Sequence, residues 1–159
     1  MYPNDVFRNE LSAVTRALSD WADRWRDAAT FDIKEGIGYW RISARPSTPG
    51  ACPMTLVLRN DQKFDLALAG ERFEDRNIDD FALFGALAQS VSAGRVELIQ
   101  TQSALTGGLK SIETRVTLDD GAVWSQTRKA GALQNEPEAD GEVQCVEPFL
   151  PYTLQRNGP

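Results

Sequence analysis

From Phe7 onward the large apolar residues fall at Phe7, Leu11, Val14, Leu18, Trp21 and Trp25. This alternation of four- and three-residue steps draws one stripe down a helix. Asn4 is placed to cap its first turn, Asp5 and Glu10 lie toward the positive end of the helix dipole, and Arg24 and Arg26 lie toward the negative end. A helix from about Asp5 to about Asp27 is therefore expected. The stripe covers fewer than three heptads and is widened by Ala17 and Ala22, so it reads as a helix lying on its own sheet. The competing reading is a seam between two subunits, for which Leu18, Trp21 and Trp25 are the interface candidates.

A mainly polar break from Thr30 to Gly38 precedes Tyr39–Arg45, where Trp40, Ile42 and Ala44 alternate with Tyr39, Arg41, Ser43 and Arg45. This is the period-2 pattern of a half-buried strand. A proline-punctuated loop through Pro46, Pro49 and Pro53 leads to Leu56 and Leu58, and the next apolar positions are Phe64, Leu66 and Leu68. Those five share a face only if the loop between them has an odd number of residues, which predicts a hairpin around Asn60, Asp61 and Gln62. The charged run Glu71–Asp80 reads as a connection. A second helix then starts at Asn77, Asp79 or Asp80, passes through Phe81, Phe84, Leu87 and Val91, and closes at Gly94. It is apolar nearly all round, the mark of a buried helix.

Three further strands are expected, at Val96 to about Ser103, Ile112–Leu118 and Ala122 to about Arg128. A three-residue loop with Gly121 left-handed places Val116, Leu118, Ala122 and Trp124 on one face. The fold class is thus α+β, with antiparallel sheet pairing in the order α-βββ-α-βββ, as a single domain over residues 1–130. Residues 131–159 read as a flexible acidic linker, Gln134–Glu142, and an apolar proline-containing tail. The tail carries Val143, Val146, Phe149, Leu150, Tyr152 and Leu154. It is expected to dock along a sheet edge in cis or on a second subunit, which adds Phe149, Leu150 and Tyr152 to the interface candidates.

Composition narrows the chemistry. The chain has 159 residues, 42% of them hydrophobic, with 17 basic and 23 acidic side chains and a formal charge of −6. It is of globular type, and attraction to nucleic acid or to an anionic membrane surface is disfavoured. There is no histidine, which removes Ser-His-Asp and Cys-His catalysis and histidine-ligated metals. Cys52 and Cys145 have no metal-binding spacing and read as free thiols of a reducing compartment. With no signal-peptide pattern at the start, a cytoplasmic location is expected.

No catalytic set emerges, and neither a metal nor another cofactor is expected. The carboxylates Glu71, Glu74, Asp75, Asp79 and Asp80 are interleaved with Arg72 and Arg76 and match no calcium loop. Asp119 and Asp120 are turn residues, T-G-G-L-K-S and G-I-G-Y lack phosphate-loop context, and Cys52 has no activating partner. The ligand-binding candidates are Arg41 and Arg45 on one strand face, with Arg115 or Arg128 on a comparable face, where guanidinium groups would receive a carboxylate or phosphate. Trp40 and Trp124 would line such a site.

The leading expectation is a noncatalytic protein- or peptide-binding or assembly module, homodimeric, using a sheet face or the groove beside its helices. In order of elements and acidic charge, roughly the first 100 residues resemble the small dimeric chaperones of type III secretion. Those proteins begin with a helix, continue through three strands and a second helix, and bind extended segments of a client. The resemblance implies a dimer that holds an extended partner; this chain ends in a proline-containing tail where those proteins end in a helix. The competing expectation is a small-ligand-binding protein or histidine-independent enzyme with a concave sheet lined by the tryptophans and arginines.

Overall fold

In the computed structural model, which describes residues 1–130 and 141–154, the apolar stripe forms helix α1, Asn4–Arg24. It buries Phe7, Val14, Leu18, Trp21 and Ala22. Both ends differ from expectation. The N-cap is Pro3, whose carbonyl accepts the Phe7 N–H at 2.8 Å, so Asn4 lies inside the first turn and caps nothing. At the other end Ala28 N–H bonds back to the Trp25 carbonyl at 2.9 Å, a tight turn that steers the buried Ala28 and Ala29 into a strand.

That strand is β1, Ala29–Gly36, which corrects the reading of Thr30–Gly38 as a break. Among the described residues it has one neighbour, β2 (Tyr39–Pro46), and most of its side chains face water, so no burial period is written into its sequence. Gly38, at φ 81°, closes the hairpin between them. β3 (Met54–Arg59) and β4 (Lys63–Leu68) form the expected hairpin, with Leu56 opposite Leu66 and Leu58 opposite Phe64. The charged run then contributes β5, Glu71–Asn77, a second strand in place of an expected connection. Only Phe73 of its side chains is buried. A bulge between Phe64 and Leu66 shifts its register, with Asp75 at positive φ and its N–H held by the Asp65 carboxylate at 2.8 Å.

The first sheet is therefore a five-stranded antiparallel meander, β1-β2-β3-β4-β5. Ile42, Ala44, Met54, Leu56, Leu58, Phe64, Leu66 and Leu68 form its buried face, in one cluster with the buried residues of both helices. Helix α2, Ala82–Ser92, packs Phe84 edge-on to Phe64 with ring centroids 5.0 Å apart. It closes at Gly94, φ 76°, with Arg95 N–H bonding to the Ser90 carbonyl at 2.9 Å. A Cβ at Gly94 would lie 2.5 Å from the Pro151 backbone nitrogen, so both the dihedral and the space require glycine there.

The second sheet has the order β8-β7-β6-β9, built from β6 (Val96–Ser103), β7 (Leu109–Thr117), β8 (Val123–Lys129) and β9 (Glu142–Pro148). Val116 faces Trp124 and Gly121 is left-handed at φ 85°, as the three-residue loop requires. The fold is α+β with antiparallel sheets, and among the described residues its strand sets number five and four where three and three were expected. β9 runs antiparallel to β6 in cis. The acidic linker expected over Gln134–Glu142 falls, as far as residue 140, outside the described residues.

Beyond β9 the chain crosses the molecule. Phe149 N–H bonds to Val96, Leu150 N–H to Gly50 and Tyr152 N–H to Ser92, while the Tyr152 hydroxyl donates to the Cys52 carbonyl at 2.8 Å. The segment thus ties β6, the β2–β3 loop and the end of α2 together. Among the described residues no helix is long and apolar enough to cross a membrane.

Candidate functional site

The residues singled out from sequence fall in four places. Arg41 and Arg45 share the face of β2 opposite Trp40, Ile42 and Ala44. Arg41 is held by Asp32 on β1 at 3.0 Å, and Arg45 is exposed with no ion pair among the described residues. Arg115 is bound by Glu113 on its own strand at 2.9 Å, and it faces Ser125 on the sheet surface opposite to that of Arg128. Arg128 reaches across to β5 and makes a two-armed contact with Glu71, at 2.9 and 3.0 Å. Three of the four guanidinium groups are thus paired with carboxylates, and they do not converge.

Trp40 stands between Glu35 and Leu58 in the first sheet. Trp124 packs edge-on to Phe73, centroids 5.6 Å apart, and lines a cleft of about 440 Å³ with Phe64, Phe84, Asp79 and Asp80. Asp80 already accepts the Ala82 N–H at the start of α2. Among the described residues no three potential metal-ligating side chains come together.

The interface candidates are used largely within the chain. Leu18 and Trp21 are buried, and Trp21 Nε1 donates to Ser92 Oγ at 3.1 Å. Tyr152, also buried, lies near both Trp21 and Trp25, with ring centroids 6.2 and 6.0 Å away. Trp25 and Phe149 are half-buried against the core, and Leu150 is exposed. Burial pushes the Cys52 thiol up to about 12 and raises the Tyr152 phenol. Neither group is available as a nucleophile at neutral pH.

The feature missed in sequence is the groove along β1. It has a volume of about 490 Å³ and runs between the end of α1 and the outer edge of β1, lined by Ala22, Asp23, Arg26, Ala29, Thr30, Phe31 and Ile33. Ser47 N–H bonds to the Ala28 carbonyl, in register with the pairing of β1 and β2. By the alternation of an antiparallel ladder, Thr30, Asp32 and Lys34 then bond inward, while the backbone groups of Phe31, Ile33 and Glu35 point outward. Among the described residues no strand lies on that side. Phe31 packs edge-on to Trp21, centroids 5.2 Å apart, which fixes the groove floor to the core. Asp23 and Arg26 pair with each other at 2.5 Å on its rim. The only sequence signal was the pair Phe31 and Ile33, two apolar residues spaced two apart within a polar stretch.

No family model, curated protein or solved structure matches this chain.

Proposed function

We propose that the protein is a noncatalytic binding and assembly module that holds an extended segment of a partner protein as a sixth strand along β1. The observation that carries this reading is the outward row of backbone donors and acceptors at Phe31, Ile33 and Glu35, opening beside a preformed groove. Strand addition draws affinity from main-chain hydrogen bonds and specificity from pockets that receive alternate side chains. Here the floor is Ala22, Phe31 and Ile33, and Ile33 is 42% exposed. The chemistry favours a segment with an apolar side chain at every second position. The rim charges of Asp23 and Arg26 compensate each other and select no strongly charged partner.

The test is selection of random extended peptides against the full chain, followed by fluorescence anisotropy on Ile33→Pro. The Ile33 N–H points away from β2, so proline there removes a donor needed by an added strand and none used by the ladder. Selected peptides should bind Ile33→Pro at least about tenfold more weakly, a difference of about 1.4 kcal/mol, and should bind Trp124→Ala as they bind the parent. Unchanged affinity for Ile33→Pro would move the site elsewhere.

A further inference from the structure

Among the described residues, the second sheet has an open edge of its own at β9. Gly141 accepts the Ala104 N–H and Phe149 donates to Val96, both in register with the pairing of β9 and β6. Alternation therefore turns the backbone groups of Val143, Cys145 and Glu147 toward β6, and those of Glu142, Gln144 and Val146 outward. All seven residues of β9 are exposed, and Val143 and Val146 are each about half-exposed, at 49% and 54%. The central run V-Q-C-V carries no charge, and the strand has no lysine or arginine. Exposed strands usually discourage pairing by placing such charges along the edge. Other edges are treated differently: β5, the far edge of the first sheet, carries Arg72, Glu74 and Arg76, and β8 is engaged by β5 through Arg128 with Glu71 and Trp124 with Phe73.

We propose that a second copy of this chain pairs antiparallel along β9, with the two-fold axis at Gln144, joining two four-stranded sheets into one across the dimer. A two-fold antiparallel pair requires one residue to face its own copy. With the axis at Gln144, Glu142 faces the partner's Val146 and Gln144 faces the partner's Gln144. All three outward residues then exchange both backbone bonds, about six in all. Pro148, which has no N–H to give, falls outside the ladder. Moving the axis to Cys145 would place Pro148 opposite Glu142 and leave a carbonyl without a donor. On one face the Gln144 axis sets Val143 against the partner's Cys145, and Cys145 against the partner's Val143, at the closely spaced pairs. No carboxylate faces another, because Glu147 lies opposite the partner's Gly141. Like charges directly opposite would weaken the pairing.

This surface lies on a different sheet from the β1 groove, so each reading can fail without the other. Sedimentation velocity of the full chain over a concentration series should show a reversible dimer. Val146→Pro removes an outward N–H and none used by β6, and should raise the dissociation constant at least about tenfold, with the thermal midpoint unchanged at concentrations low enough that both proteins are monomeric. Independently of that variant's folding, Gln144→Glu and Gln144→Lys should each be monomeric, since each places a charge against its own copy, and an equimolar mixture should dimerise. A wild-type chain that stays monomeric throughout, or a mixture no more dimeric than either variant alone, overturns the proposal. Peptide affinity at β1, measured on the same variants, should not change.

Discussion

Tyr152 holds the crossing segment in place, and two substitutions separate its two contributions. Its ring is buried near Trp21 and Trp25, and its hydroxyl donates to the Cys52 carbonyl at 2.8 Å. Tyr152→Phe keeps the ring and removes the hydroxyl, leaving a carbonyl in a buried place without that donor, which should cost about 1–2 kcal/mol. Tyr152→Ala removes the ring as well and opens a cavity against the two indoles, which should cost about 3–5 kcal/mol. Urea unfolding followed by tryptophan fluorescence reads both, and the native emission of Trp21 and Trp25 should also shift to the red in the alanine variant. The Tyr152 N–H bond to Ser92 remains in either variant, so the segment should loosen before it detaches. A loss below about 0.5 kcal/mol for Tyr152→Ala, within the range of ordinary surface substitutions, would show that the segment does not hold the fold together.

Three other outcomes are expected. Trp21→Ala should cost about 3–5 kcal/mol in the same assay, because Trp21 is 2% exposed, and a near-neutral result would refute its core placement. Cys52 keeps its proton in the folded chain up to about pH 12, against 9.0 when unfolded, so the folded state binds more protons above pH 9. Stability is then level below that pH and falls as pH rises from 9 toward 12. Thermal melts of Cys52→Ala should show a shallower decline between pH 9 and 10, with the slope that remains including Tyr152, whose phenol is likewise raised by burial and ionises at about pH 10 when unfolded. Truncation after Gly141 removes β9 and the crossing segment together, and should lower the thermal midpoint. An unchanged midpoint would mean that neither contributes.

What could be read from the sequence was whatever the core imposes on it. The Phe7–Trp25 stripe, the parity of Leu56, Leu58, Phe64, Leu66 and Leu68, and the Val116–Trp124 register are all consequences of one buried face. β1 and β5 were missed for the converse reason. Each has little buried surface, Phe73 being the single buried side chain of β5, so their strand character comes from backbone pairing that leaves no period in the side chains. The helix start was misjudged because Asn4 is a good capping residue, but the Pro3 carbonyl begins the hydrogen-bond ladder one residue earlier. The arginines were identified by type, yet their roles depend on partners brought from other strands, Asp32 for Arg41 and Glu71 for Arg128. The β1 groove depended on knowing that β1 exists and lies at an edge.

The contact between Trp21 and Tyr152 joins the first helix to the last described segment of the chain, across 131 positions. On the ribosome, α1 is therefore synthesised long before the residues that complete its surroundings, and folding cannot finish until Tyr152 has left the exit tunnel. Contacts so distant along the chain slow the search for the native state. Until then the Trp21 and Trp25 end of α1 and the still unpaired edge of β6 remain open to other chains, a period of exposure set by the rate of translation.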